Sequence, residues 1–258
     1  MALTLYGIPY SPWTVKALFS LDHHRLPYRF VEHVPILGEL RLRRLTKRSD
    51  ATVPLLVDGT TVVMGSEKIG EHADRLASSR EGFVSLFPKG KEDEIRAWNA
   101  KSETVLSVGR GLLLEALRKS PAGLEESLPP FVPRPVRPAF RFVAKSALSF
   151  IARKHRIVSD TSRLERDVTP ILRDLDQRVG DAGEGAPRYL LGTFTFADVA
   201  IACALGAIRP TDREPFVAAL GPAAKAAWHR EEVARAFPRV LAWRDLVYAA
   251  HRRPKEGT

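Results

Sequence analysis

Tyr10-Ser11-Pro12-Trp13-Thr14-Val15-Lys16 follows directly on the apolar run Leu3 to Tyr6 and marks the passage from a strand into a helix. Ser11 suits the N-cap, Pro12 suits the first helical position, and Val15, Leu18, Phe19 and Leu21 supply one apolar face. A helix start of this kind stabilises a bound anion and holds a hydroxyl beside it. Read alone, the stretch needs no more explanation than a capped helix.

About 40 residues on, Thr52 to Val63 reads as two strands joined by an Asp58-Gly59 turn, with Pro54 opening the first strand. An X-Pro bond there can be held cis, which turns the backbone of Val53 outward for pairing. Gly65-Ser66-Glu67-Lys68-Ile69 then starts another helix, with Ser66 as its expected N-cap.

Strand, Ser-Pro-aromatic, helix, Val-Pro, hairpin and Ser-x-x-Ile helix follow one another as in the N-terminal domain of the cytosolic glutathione transferases, which this region resembles; the Ser-Pro-aromatic motif is of the bacterial, serine-, omega- or tau-like kind. Gly192 to Asp198 resembles the capping box of that family's helical domain, and Phe237-Pro238-Arg239-Val240-Leu241-Ala242-Trp243 its late Pro-x-Val-x-x-Trp helix. The resemblance implies a thioredoxin-like α/β domain at residues 1–79, a linker at 80–91 and an all-helical domain at 92–258. It also implies a homodimer.

The resemblance assigns roles residue by residue. Ser11 would donate to the glutathione sulfur, with Tyr6 as the rival because other classes place a tyrosine near there. Val53 and Pro54 would pair with the cysteinyl unit, and Ser66 would hold the γ-glutamyl carboxylate. The family's acid before that serine is replaced by Gly65, leaving Glu67 to meet the amino group by another approach. Arg41, Arg44 and Lys47 offer cations for the glycyl carboxylate. Tyr10 and Trp13 are expected to wall the pocket, and Trp98, Ser102 and Val105 to line the electrophile's side of it. Glutathione is thus the implied co-substrate, an apolar electrophile its partner, and conjugation the implied reaction. A transferase-like binding protein without turnover is the alternative that Gly65 motivates.

Composition sets the remaining bounds. A chain of 258 residues with 45% hydrophobic content can bury a sizeable core. The sequence shows neither an apolar run of membrane-spanning length nor a signal-peptide pattern, so a cytoplasmic protein is expected. The single cysteine, Cys203, lies in an apolar stretch and reads as a core thiol. With no second cysteine, and with Ser11 and Thr14 in place of the paired cysteines of related thiol-disulfide enzymes, dithiol exchange is not available. Seven scattered histidines at no metal-site spacing argue against a metal.

From Lys91 the pattern turns helical: Ile95, Trp98, Val105, Leu106, Leu112, Leu113 and Leu117 recur near a 3.6-residue period until Ser120-Pro121-Ala122-Gly123 stops them. Further helices are expected at about 160–180, 196–208, 213–230 and 238–251. Thr195 and Asp198 form a cap and have no catalytic role in this reading.

Residues 121–158 stand apart as an insertion. A proline-rich opening, Pro129 to Pro135, is expected to be extended or irregular, and a basic amphipathic helix from about Arg137 to Arg156 to follow it. Arg134, Arg137, Arg141, Lys145, Arg153, Lys154 and Arg156 all fall between Glu126 and Asp160 without a single acid, so much of the net charge of +10 is local. Phe140, Val143, Ala147, Leu148 and Ile151 make the opposing stripe. Docking of that stripe on the protein's own helices is favoured over an anionic membrane surface, and nucleic acid is disfavoured for want of any accompanying motif.

Overall fold

β1 (Leu3–Gly7) alternates buried and half-buried residues and is the inner strand about which the N-terminal layer is built. Its neighbours give the sheet order β2-β1-β3-β4, with β2 (Tyr28–Glu32) parallel to β1, and β3 (Leu55–Asp58) and β4 (Thr61–Met64) added antiparallel. The Asp58-Gly59 turn closes the hairpin, and Gly59 takes the positive φ of 59° that the turn requires. In this computed structural model residues 3–129, 131–180, 186–214 and 220–252 are described.

α1 (Pro12–His23) and α3 (Ser66–Ala77) cover one face of the sheet, where Leu5, Leu18, Leu21, Leu56 and Ile69 are 0 to 3% exposed. Each such side chain contributes ~1.5–3 kcal/mol on removal from water. α2 (Glu39–Thr46) covers the other face through Leu42, which packs with Ala51 and Leu55. The result is the three-layer thioredoxin-like arrangement, and Gly7 is needed within it because a Cβ there would lie 2.4 Å from Thr14 Cγ2.

The long helical period is realised as α4 (Glu92–Lys119). The chain does not become irregular after it: Ser120 caps a further helix, α5 (Pro121–Glu126), accepting from Gly123 N at 3.0 Å. Proline at a helix start costs no hydrogen bond, so the same residues that stop one helix begin the next.

The basic helix is also shorter than expected. A 3-10 stretch covers Arg134–Phe140, and α6 proper runs Arg141–Lys154. Pro138 lacks the donor a regular α-helix needs at that point, which moves the helix start four residues on. Pro130, in the proline-rich opening, lies outside the described residues.

The expected 160–180 helix opens with a π-helical turn (Leu164–Val168) and continues as α7 (Thr169–Val179). α8 (Phe196–Ala204) is buried along its whole length and ends in a 3-10 turn (Leu205–Ala207). Of the helix expected at 213–230, residues 215–219 lie outside the described residues, and α9 occupies Pro222–Trp228. A separate α10 (Glu231–Ala236) precedes α11 (Pro238–His251).

The two layers are joined by charge as well as packing. Arg252, just past α11, is buried between Asp22 of α1 and Glu214, donating from Nε to Glu214 Oε1 at 2.7 Å and from Nη1 to Asp22 Oδ2. Both acids hold its guanidinium charged against the cost of burial.

Candidate glutathione site

Strand register brings the sequence-derived residues to one end of the sheet. Tyr6 of β1 pairs with Leu55 of β3, and Leu55 pairs with Met64 of β4. The loop into α1, the Val53-Pro54 step and the entry to α3 therefore leave the sheet side by side. The Val53-Pro54 bond is cis, and Pro54 O accepts from Gly65 N at 3.0 Å.

Ser11 is the N-cap residue of α1, with Pro12 at N1. Its backbone is extended, at φ −78° and ψ 124°, but its hydroxyl does not bond back to the helix. Only its backbone is used, the N–H donating to Ile8 O at 2.9 Å and the carbonyl accepting from Val15 N at 3.0 Å. A half-buried hydroxyl at a positive helix end is thereby left without a capping bond.

Ser66 departs from its expected position. Gly65 is the N-cap, at φ 95° and ψ 140°, and Ser66 is the first helical residue, 6% exposed. The chain turns from β4 into α3 through a backbone conformation that side chains rarely adopt, and glycine occupies it. Glu67, one residue further, is half-buried; burial and the neighbouring Glu71 raise its pKa, while Asn99, Lys16 and Arg96 oppose them. Its Oε1 is buried without a hydrogen-bond partner.

Tyr6 projects to the α2 side, packing against the Leu42, Ala51 and Leu55 cluster together with Val53 and Met64. Arg41, Arg44 and Lys47 of the α2 segment are exposed. The insertion reaches the same region: Lys154 Nζ donates to Glu39 Oε2 of α2 and to Ala51 O at 3.3 Å, two residues before Val53. Arg43, Thr52, Phe150 and Arg153 line one groove between α2 and α6.

Trp13 faces α4 rather than open solvent. Its Nε1 donates to Glu103 Oε2 at 2.6 Å, and the Arg110 guanidinium lies 4.7 Å from its ring centre. Lys16, with no exposed surface, donates to Glu103 Oε1 at 2.8 Å, Ser102 Oγ at 2.7 Å and Asn99 Oδ1 at 3.2 Å. Burial lowers the Arg110 pKa, and Glu103 works against that shift. This Lys16, Glu103 and Arg110 constellation escaped the sequence reading. Its one signal was a lysine inside a helix that is otherwise apolar on the corresponding turns.

The electrophile-side residues are not brought together. Trp98 is 3% exposed with Lys101 and Arg178 over its ring, Ser102 is tied to Lys16, and Val105 is in the core. Helical spacing put them on the buried face of α4, where the long hydrophobic period already had to be satisfied. The cleft beside Tyr10 is small, about 30 Å³, and is instead lined by Pro12, Val15, Pro210, Leu220, Trp228 and Tyr248 among others. Cys203 adjoins it, but burial pushes its thiol up to about 12, well away from a nucleophile. Among the described residues no group of three or more His, Cys, Asp or Glu side chains is arranged to hold a metal ion.

A thioredoxin-like layer carrying an N-cap serine and a cis-proline loop is followed by a helical second layer. Residues 5–81 match the family model described as glutathione S-transferase, N-terminal domain. Solved structures extend the likeness of fold to the whole chain. Glutathione transferase GSTFuA2 from Phanerochaete chrysosporium is 20% identical, with 99% of this chain and 100% of that one covered and a TM-score of 0.59. The glutathione S-transferase CsGST63524 of Ceriporiopsis subvermispora, in complex with glutathione, is 14% identical, with both chains fully covered and a TM-score of 0.63. A glutathione S-transferase from Methylobacillus flagellatus with glutathione bound is 17% identical, with 98% and 96% covered and a TM-score of 0.53. No curated protein matches the sequence.

Proposed function

We propose that the protein is a cytoplasmic, homodimeric glutathione transferase that adds the glutathione thiolate to an apolar electrophile, with Ser11 stabilising the thiolate. The observation that carries this reading is the Ser11 hydroxyl, half-buried at the α1 N-terminus without a capping bond and at the same end of the sheet as the cis Val53-Pro54 step and Ser66. In this reading residues 1–79 hold glutathione, 80–91 link, and 92–258 supply the electrophile's side.

The Ser11 hydroxyl donates a hydrogen bond to the sulfur and the α1 N-terminus adds its dipole, which together pull a thiol pKa down from ~8.5 toward neutrality. The thiol proton leaves to solvent. Sulfur then forms a bond to the electrophilic carbon, and the leaving group departs with its electron pair or, in an addition, the acceptor takes a proton. Val53 and Pro54 hold the cysteinyl backbone, Ser66 the γ-glutamyl carboxylate, and Glu67, with one buried oxygen unpartnered, the amino group. Arg41 serves the glycyl carboxylate. Tyr10 walls the site, Trp13 being turned to α4, and the side of it next to Pro12, Val15 and Trp228 meets the electrophile in place of the Trp98, Ser102 and Val105 face.

Isothermal titration with glutathione, followed by turnover of a chlorinated aromatic, tests the reading. Heat of binding and Ser11-dependent conjugation are expected; absence of binding at millimolar glutathione would overturn it. Gly65 in place of an acid favours a second reading, a binding protein without turnover, which predicts thermal stabilisation by glutathione with no conjugation across a panel of electrophiles.

A further inference from the structure

The insertion turns two different apolar sets in two directions. Ala144 and Leu148 of α6 are buried on the helical domain, with Ile151 half-buried beside them, as a docked stripe should be. Phe140 and Val143, expected in that stripe, are instead 43% and 42% exposed. Phe142 is 69% exposed on the outer face of α6, and Phe150, two turns on along the i, i+4 line through Ser146, is 39% exposed at the edge of that face, beside the groove with α2. Phe131, on the approach to the helix, is 72% exposed. Every exposed phenylalanine among the described residues lies between positions 131 and 150.

The segment's own charges are of one sign, with Asp50 across the α2 groove from Arg153 and Glu115 in the groove beside Lys145. Residues 127–159 contain no Asp or Glu. Some cations of the segment are committed elsewhere, Arg141 to Glu125 and Lys154 to Glu39. Arg134, Lys145 and Arg153 are exposed and form no ion pair among the described residues. A merely solvated basic face would not carry outward phenylalanines.

We propose that the outer face of α6, with the preceding 3-10 stretch, is a seat for an anionic lipid bilayer. Phe142 and Phe150 enter the boundary between headgroups and acyl chains, and Lys145, Arg153 and Arg134 meet the lipid phosphates. No helix of the described residues is long and apolar enough to cross a membrane, so the contact is peripheral. It would hold the protein at the surface where apolar compounds collect.

Co-sedimentation of the full chain with phosphatidylcholine vesicles, with and without phosphatidylglycerol, tests this independently of glutathione. Binding is expected only to the anionic vesicles and to fall with added salt. Removal of each cation should weaken it roughly fivefold, so Lys145→Gln/Arg153→Gln should lose about 25-fold. Phe142→Ser/Phe150→Ser, at exposed positions and checked for an unchanged Tm, should also lose most binding. Three results would overturn the proposal: a parent protein that stays in the supernatant at low salt, phenylalanine variants that bind as well as the parent, or a dimer that the phenylalanine variants dissociate while vesicle affinity is absent. The second would leave ionic adsorption alone, and the third would make the face a protein contact.

Discussion

At Ser11 the backbone does the capping geometry while the hydroxyl stays uncommitted, and that separation lets one residue both begin a helix and serve a ligand. Ser11→Ala should therefore leave the fold intact and the glutathione affinity within a few fold. It should raise the pKa of the bound thiol and lower kcat by about 10², the usual loss when one donor to an anion is removed. Thiolate absorbance against pH and steady-state turnover read both effects. If Tyr6→Phe is the slow variant and Ser11→Ala is not, thiol activation belongs to the tyrosine, despite its packing on the α2 side. Gly65 is a second residue-scale case. A Cβ there meets no atom within 4 Å, so Gly65→Ala isolates the strain of φ 95° and should cost about 1–3 kcal/mol in urea unfolding.

Among elements, α8 shows how a buried charge can be tolerated by a helix end. Asp198, with no exposed surface, accepts from Thr195 N and Leu190 N, both at 2.9 Å, and from the Thr195 hydroxyl at 3.2 Å. Burial outweighs those bonds and raises its pKa to about 6. Because the folded protein then holds a proton that the unfolded chain has lost, this group's contribution to stability is present below pH ~4 and declines as pH rises to about 6. The decline amounts to about 2–3 kcal/mol. Asp198→Asn, which cannot titrate, should flatten that part of the pH profile even while it loses part of the cap. An unchanged slope in urea titrations between these pH values would assign the pH dependence to other groups.

For the whole molecule, Arg252 is where the end of the helical layer is fastened to α1. Its removal leaves Asp22 and Glu214 buried together without their cation, so Arg252→Ala should destabilise the fold by about 3–5 kcal/mol. Chemical denaturation measures this, and a loss below about 1 kcal/mol would show that water reaches the acids. Lys16 plays a related part closer to the site: its ammonium, bound by Asn99, Ser102 and Glu103 of α4, fastens the first turns of α1 to the helical layer.

What was legible in the sequence was local. N-cap serine with proline at N1, the Asp58-Gly59 hairpin, the 3.6-residue apolar period of the 28-residue α4 and the Thr195-Asp198 cap each depend on residues a few positions apart, and each formed. Errors arose where one signal admits two outcomes: Pro121 both stops and starts a helix, and a half-apolar helix such as α6 has more than one face to offer. Tertiary structure alone decided that Gly65 rather than Ser66 sits at the cap, because the φ there depends on how β4 meets α3. It alone decided that Trp98, Ser102 and Val105 face the core, that Lys16 finds partners more than 80 residues away, and that Phe142 and Phe150 remain uncovered. The sequence by itself determined the elements and the ends at which a ligand could be held, since caps and periods are short-range; which side chains share a cavity, a charge or a surface depends on packing between distant segments.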